Sequence, residues 1–219
     1  MIDVIKKIVD KKLTYLTMVK LESLVESCKF VESNNIDGDI VETGCALGGS
    51  SILLASQKNT NRNLYVYDMF GQIPEPTKED PPEVHKRYEI IKKGSATGIG
   101  GNKYYGYETD LLKIVKNNFT DFGIDIDENN INFIQGDIRE TLQINQKISL
   151  AHIDVDWYEP VKISLEKIYN NLSFYGTIIL DDYYDWGGCR KAVDEFLLDK
   201  KNEVILDSTK QTMKIMKVR

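Results

Sequence analysis

The chain has 219 residues and a formal net charge of −6, from 28 Lys+Arg against 34 Asp+Glu; the length suits one decorated α/β domain, and the acidic balance argues against a nucleic-acid partner, whose phosphates call for a basic face. Three cysteines, Cys28, Cys45 and Cys189, none at a C-x-x-C spacing, argue against a disulfide framework or a zinc site. No window approaches the ~18 apolar residues of a membrane span and residues 1–13 lack the apolar run of a signal peptide, so no membrane partner is expected and the expected compartment is the cytoplasm.

In chain order, residues 2–34 read as helix, with Ile5, Ile8, Leu13, Leu16, Val19, Leu21, Leu24, Val25, Cys28 and Val31 recurring at helical spacing. Asn34 to Gly38 form a turn. This sets an N-terminal segment, 1–36, before a second unit, 37–219. The apolar face of the segment is either a homodimer surface or a cover for the sheet of the second unit. Strands are expected at Asp39–Glu42, Asn63–Tyr67, Ile131–Gln135, Ile148–Ile153 and Thr177–Leu180, then a terminal pair at Val204–Leu206 and Met213–Met216. Helices fit at Ser50–Gln57, Glu108–Asn117, Glu159–Asn171 and Gly188–Leu198. Strands alternating with helices imply a doubly wound, mainly parallel sheet covered on both faces.

The stretch 71–109 breaks the alternation. It holds Pro74, Pro76, Pro81 and Pro82 of the chain's 5 prolines, and six glycines: Gly71, Gly94, Gly98, Gly100, Gly101 and Gly106. It also holds Tyr88, Tyr104, Tyr105 and Tyr107, more aromatic character than a solvated linker needs. A functional lid is the expectation.

Three places carry chemistry. The first is the turn Glu42-Thr43-Gly44-Cys45-Ala46-Leu47-Gly48-Gly49-Ser50-Ser51, after the first strand. Ala46 breaks the dinucleotide G-x-G-x-x-G pattern, and Ser50 stands where a P-loop needs lysine. The second is Asp68, ending the second strand, where a carboxylate can accept from both hydroxyls of a ribose. Together they indicate an adenosine-containing ligand. Asp137, after the third strand, is placed to reach an adenine edge or to cap a helix. The third is the set Asp154, Asp156, Asp181 and Asp182, at the ends of the fourth and fifth strands. Four converging carboxylates repel, and they persist only with raised pKa values or a bound cation. Oxygen-only ligands suit a hard ion such as Mg²⁺.

Val41-Glu42-Thr43-Gly44, Gly48-Gly49-Ser50, Asp68-Met69-Phe70-Gly71, His152 to Glu159, Asp181-Asp182-Tyr183 and Trp186 to Asp194 resemble the macrocin-type O-methyltransferases. The resemblance runs from about 37 to 198. It departs from the family at Met69 and at the missing acidic residue of the Asp-Ser-Phe-Glu-Gly pattern. It implies a Rossmann-like, class I methyltransferase sheet of seven strands. It also implies a metal-dependent enzyme moving a methyl group from S-adenosylmethionine to a sugar hydroxyl of a natural product or surface glycan, the acceptor presenting a vicinal diol. By the same resemblance Asp154, Asp181 and Asp182 are the Mg²⁺ ligands and Asp156 is the base. Asp68 holds the ribose. Glu42, Thr43, Gly44, Gly49, Ser50 and Ser51 form the turn at the methionine portion, with Asp137 and Asp154 completing the cofactor site. His152 is left as a structural residue. A catechol or phenol O-methyltransferase is the alternative enzyme, and a non-catalytic adenosine-ligand module the alternative from another class. The four aspartates argue against the module, and the broken glycine pattern argues against a nucleotide-binding dehydrogenase.

Overall fold

Short β-branched runs bounded by turns come together as one seven-stranded sheet in the computed structural model, which describes residues 2–219; Met1 lies outside them. The strands are β1 (Asp39–Thr43), β2 (Leu64–Asp68), β3 (Ile131–Gln135), β4 (Ile148–Ile153), β5 (Leu172–Leu180), β6 (Val204–Asp207) and β7 (Met213–Lys217). Their spatial order is β3-β2-β1-β4-β5-β7-β6. β1 to β5 run parallel, and β7 is antiparallel to both β5 and β6. The order reverses between β1 and β4, and the crevice at the carboxyl ends of those two strands is where such sheets bind ligands.

The helices are α1 (Ile2–Asp10), α2 (Met18–Ser33), α3 (Gly49–Gln57), α4 (Pro82–Lys92), α5 (Leu111–Asp121), α6 (Ile138–Thr141), α7 (Tyr158–Asn171) and α8 (Gly187–Leu197). Successive strand residues point to opposite faces. Ile40, Leu150 and Ile179 accordingly pack with Leu21, Leu24, Ile52 and Phe119 on one face. Val41, Ala151 and Ile178 pack with Val161, Leu165 and Val193 on the other. Burial on both faces takes in nearly every residue of β1 and β4, the polar Glu42, Thr43, Ser149 and His152 included.

The predicted single helix over 2–34 is two helices. Lys12 takes a left-handed φ of 56°, Thr14 Oγ1 accepts from Leu16 N at 3.1 Å, and Thr17 caps α2 by accepting from Lys20 N. Threonines at this spacing offer the backbone local bonds that compete with a continuous helix. The apolar stripe of α2 covers the sheet and that of α1 packs on α3, with Ile5, Ile8, Leu21 and Leu24 in one core. The helix expected from Glu108 begins at Leu111, because Asp110 caps it through Lys113 N.

Residues 71–109 are an ordered excursion built on α4 and two 3₁₀ turns, Ile99–Gly101 and Tyr105–Tyr107. Tyr107 fastens it: its hydroxyl donates to Ile91 O at 2.7 Å and accepts from Ala96 N at 3.0 Å. No helix among the described residues is long and apolar enough to cross a membrane. Cys28, Cys45 and Cys189 are buried and unpaired.

Candidate active site

The turn after β1 passes close under the β4 loop. Gly44 has φ +84°, and a Cβ there would run into the Asp154 carbonyl oxygen, so only glycine serves. Asp68, at the end of β2, staples this turn. Its Oδ2 accepts from Cys45 N at 2.7 Å and Ala46 N at 3.3 Å, and its Oδ1 from Phe70 N at 2.6 Å. Burial raises the Asp68 carboxyl above its ordinary pKa, against the pull of those amides.

Two adjoining cavities open here. The smaller, about 480 Å³, is lined by Gly44, Tyr67, Asp68, Ile73, Asp137 and Asp154, among others. The larger, about 910 Å³, shares Gly44, Asp68, Asp154 and Asp156 and adds Asp181 and Asp182. Of the residues expected around a cofactor, Gly44, Asp68, Asp137 and Asp154 therefore line the cavities. Glu42, Thr43, Gly49, Ser50 and Ser51 do not: they are buried behind the turn. Glu42 accepts from Ser51 Oγ and pairs with His152 Nδ1 at 2.8 Å, and Gly49 N donates to Leu13 O at 3.1 Å. Asp137 both lines the small cavity and caps α6, accepting from Arg139 N at 2.9 Å.

At the ends of β4 and β5, Asp154, Asp181 and Asp182 each place a carboxylate oxygen within 4.8 Å of the others. Burial first, then the neighbouring carboxylates, pushes the Asp154 and Asp182 carboxyls well above the usual range. Burial likewise raises Asp181, against the charges of His152 and Lys20. Asp181 Oδ1 is buried with no hydrogen-bond partner. Asp156 sits beside them in a left-handed turn, φ 57°, its amide donating to Asp182 Oδ2 at 3.0 Å. Burial and the charge of Asp181 push its carboxyl up to about 7.

Lys20 completes the cluster, and reasoning from sequence misses it. Its Nζ lies 3.0 Å from Asp181 Oδ2 and 2.6 Å from Asp185 Oδ2, and donates to the Asp181 carbonyl at 3.1 Å. Its signal in the sequence is position: four residues after Leu16 and four before Leu24, Lys20 interrupts the buried stripe of a helix. Tyr15, Tyr104, Tyr105, Trp157 and Trp186 give the larger cavity an aromatic wall, to which Arg87 adds a positive charge.

A profile of the family described as Macrocin-O-methyltransferase (TylF) matches residues 9–213. Demethyldecarbamoylnovobiocin O-methyltransferase of Streptomyces niveus is 28% identical over 189 residues, covering 84% of this chain and 67% of that protein. Mycinamicin III 3''-O-methyltransferase of Micromonospora griseorubida is 25% identical over 194 residues, covering 84% of this chain and 69% of that protein. Among solved structures, the O-methyltransferase NovP superposes with a TM-score of 0.78 at 24% identity, over 94% of this chain and 83% of that one. The fold is thus that of the class I methyltransferases. With the profile spanning all but the ends of the sequence, this protein belongs to the macrocin-O-methyltransferase (TylF) family of O-methyltransferases.

Proposed function

We propose that this enzyme moves a methyl group from S-adenosylmethionine to a sugar hydroxyl of a small natural product or surface glycan, with Mg²⁺ held by Asp154, Asp181 and Asp182. The observation that carries this reading is the convergence of three carboxylates, one with a buried and unpartnered oxygen, on a cavity that also meets the glycine turn. An all-oxygen donor set suits Mg²⁺. One lysine does not neutralise so many buried carboxylates, and uncompensated buried charge is costly. The relatives named for mycinamicin III 3''-O-methylation and for methylation of a rhamnosyl tetracenomycin support a sugar acceptor. Neighbours of the same fold solved with S-adenosylhomocysteine support the donor.

S-adenosylmethionine supplies an electrophilic methyl group on a cationic sulfur, with a neutral thioether as leaving group. Mg²⁺ supplies a Lewis acid that favours the acceptor's alkoxide. The chain's own residues do the rest. The Asp156 carboxylate takes the acceptor proton, and a carboxyl poised near neutrality suits a general base. Asp68 holds the ribose and fastens the turn, where Gly44 faces the methionine portion. The 71–109 excursion acts as a lid, with Ile73, Tyr104 and Tyr105 closing the cavity to water. Holding both reactants aligned is worth roughly 7–11 kcal/mol in well-oriented systems. The buried, unpaired cysteines fit a reducing, cytoplasmic setting.

The test is methyl transfer from labelled S-adenosylmethionine to a panel of vicinal-diol sugars and catechols, with Mg²⁺ or with chelator. Sugar methylation that collapses in chelator is expected. Transfer to catechols alone would move the reading to a phenol acceptor, and undiminished transfer in chelator would remove the metal.

A further inference from the structure

The loops that follow β4 and β5 run into helices with no side-chain cap of their own: neither Trp157, before α7, nor Trp186, before α8, bonds an amide of the first turn. Asp80, 78 residues before Tyr158, fills that place. Its Oδ1 accepts from Tyr158 N at 2.8 Å. Its Oδ2 accepts from Thr77 N at 2.9 Å and Thr77 Oγ1 at 3.3 Å. The residue is only 6% exposed, and all three donors are neutral.

The start of α8 closes on the same carboxylate. A Cβ at Gly188 would collide with Asp80 Oδ1 and lie 2.9 Å from Tyr158 N, so the approach requires glycine. The same stretch of chain grips the loops twice more. Trp157 Nε1 donates to Pro74 O at 3.0 Å, and the Trp157 ring meets Trp186 edge-on at 5.5 Å. Lys191, on α8, pairs with Glu79 at 2.6 Å.

We propose that Asp80 is a positioning residue: wedged between the starts of α7 and α8, its carboxylate sets the register of the loop carrying Asp154 and Asp156 against the loop carrying Asp181 and Asp182. This rests on the reading of those aspartates as a cation site and base. Their mutual repulsion drives the two loops apart, against the bond from Asp156 N to Asp182 Oδ2, so a fastening outside the repelling set adds to what holds them together. A carboxylate at the start of α7 meets an unsatisfied amide and the positive end of that helix's dipole, with the start of α8 closing over it, and it works with or without a cation. The base of the 71–109 excursion thereby becomes part of the scaffold of the site.

The test compares wild type, Asp80→Ala, Asp80→Asn and Gly188→Ala by calorimetric titration with Mn²⁺ alone, by titration with S-adenosylhomocysteine, and by amide hydrogen exchange. Asp80→Ala is expected to weaken Mn²⁺ binding about 10–100-fold, the range for groups that orient metal ligands from behind. S-adenosylhomocysteine affinity should fall far less than Mn²⁺ affinity, because Asp68 and the turn it fastens are held by bonds that do not involve Asp80. Gly188→Ala, which displaces the same carboxylate from the other side, should act in the same direction. Asp80→Asn, keeping an acceptor for Tyr158 N but not for Thr77, should fall between. Exchange should quicken over 154–162 and 181–190 and not in β2 or β3. If Asp80→Ala does not fold, the other two variants carry the comparison. Unchanged Mn²⁺ affinity with unchanged exchange overturns the proposal. So does parallel loss of both affinities, which marks general destabilisation. A wild type that takes up no Mn²⁺ removes the cation reading instead, and exchange in the two loops then decides the role of Asp80 alone.

Discussion

Asp156 shows how one side chain is tuned by its surroundings. Burial and the nearby Asp181 disfavour its charged form, while Arg87 and Trp186 favour it, and the balance lies at about 7. A base works only when ionised, so kcat/KM measured with Mg²⁺ should climb with pH and level off, with the midpoint below about 7. A cation on the neighbouring aspartates favours the charged form and moves the climb to lower pH. Asp156→Asn should lower kcat/KM by ~10²–10⁴-fold and remove that acid limb. A limb that persists in the variant, measured in a pH–rate profile, assigns the titration to another group. Asp156 is legible in the sequence because it closes a strand-end aspartate pair. Lys20 is not: it looks like one more charge between apolar residues, and only the packing of α2 against the end of β5 shows that it is buried beside Asp181. Glu42 and Ser51 fail the other way. Their place in a glycine turn suggests a ligand, but a fully buried carboxylate needs partners, and Ser51 and His152 supply them.

Among the elements, the break between α1 and α2 helps shape the cleft, since it brings Tyr15 and Lys20 to the larger cavity. Thr17 holds that break: its hydroxyl caps α2 and donates to Gln211 Oε1 at 3.0 Å. Thr17→Ala should cost about 1 kcal/mol, the usual loss for such a cap. In a domain of this size that is a fall of about 2–4 °C in Tm, checked by calorimetry. An unchanged Tm would mean that the cap is not what positions α2. Helical spacing alone runs through the break, because Leu13 and Leu16 stay buried although the segment between the helices is not helical. The 71–109 excursion is legible as something other than a linker from its tyrosines. Its α4, with only Val84 and Ile91 buried, has too thin an apolar stripe to announce itself.

For the molecule as a whole, the carboxyls of Asp154, Asp156 and Asp182 are raised in the fold above their unfolded value of about 3.9. Between that value and about 7 the folded chain therefore holds more protons than the unfolded one. Stability from this source is complete below the unfolded value and is lost as pH rises through the folded ones. In chelator, Tm should fall as pH rises towards about 7, in the sense this linkage requires. With Mg²⁺, which binds the ionised cluster, the high-pH side should recover as the logarithm of concentration. Scanning calorimetry decides it: the same slope with and without Mg²⁺ would remove the cation from the cluster.

The alternation of strands and helices, the parallel sheet, the glycine turn and the aspartates at the strand ends are all written in the chain itself. Each is local, since period, turn chemistry and residue type belong to neighbouring positions. Which of those residues meet is a matter of packing at long range. Lys20 arriving from α2, Asp80 capping α7 from 78 residues away, and the burial of Glu42 behind its own turn depend on contacts between distant segments. Such contacts are set by how whole faces pack against the sheet, and no pattern within a single stretch of chain encodes them.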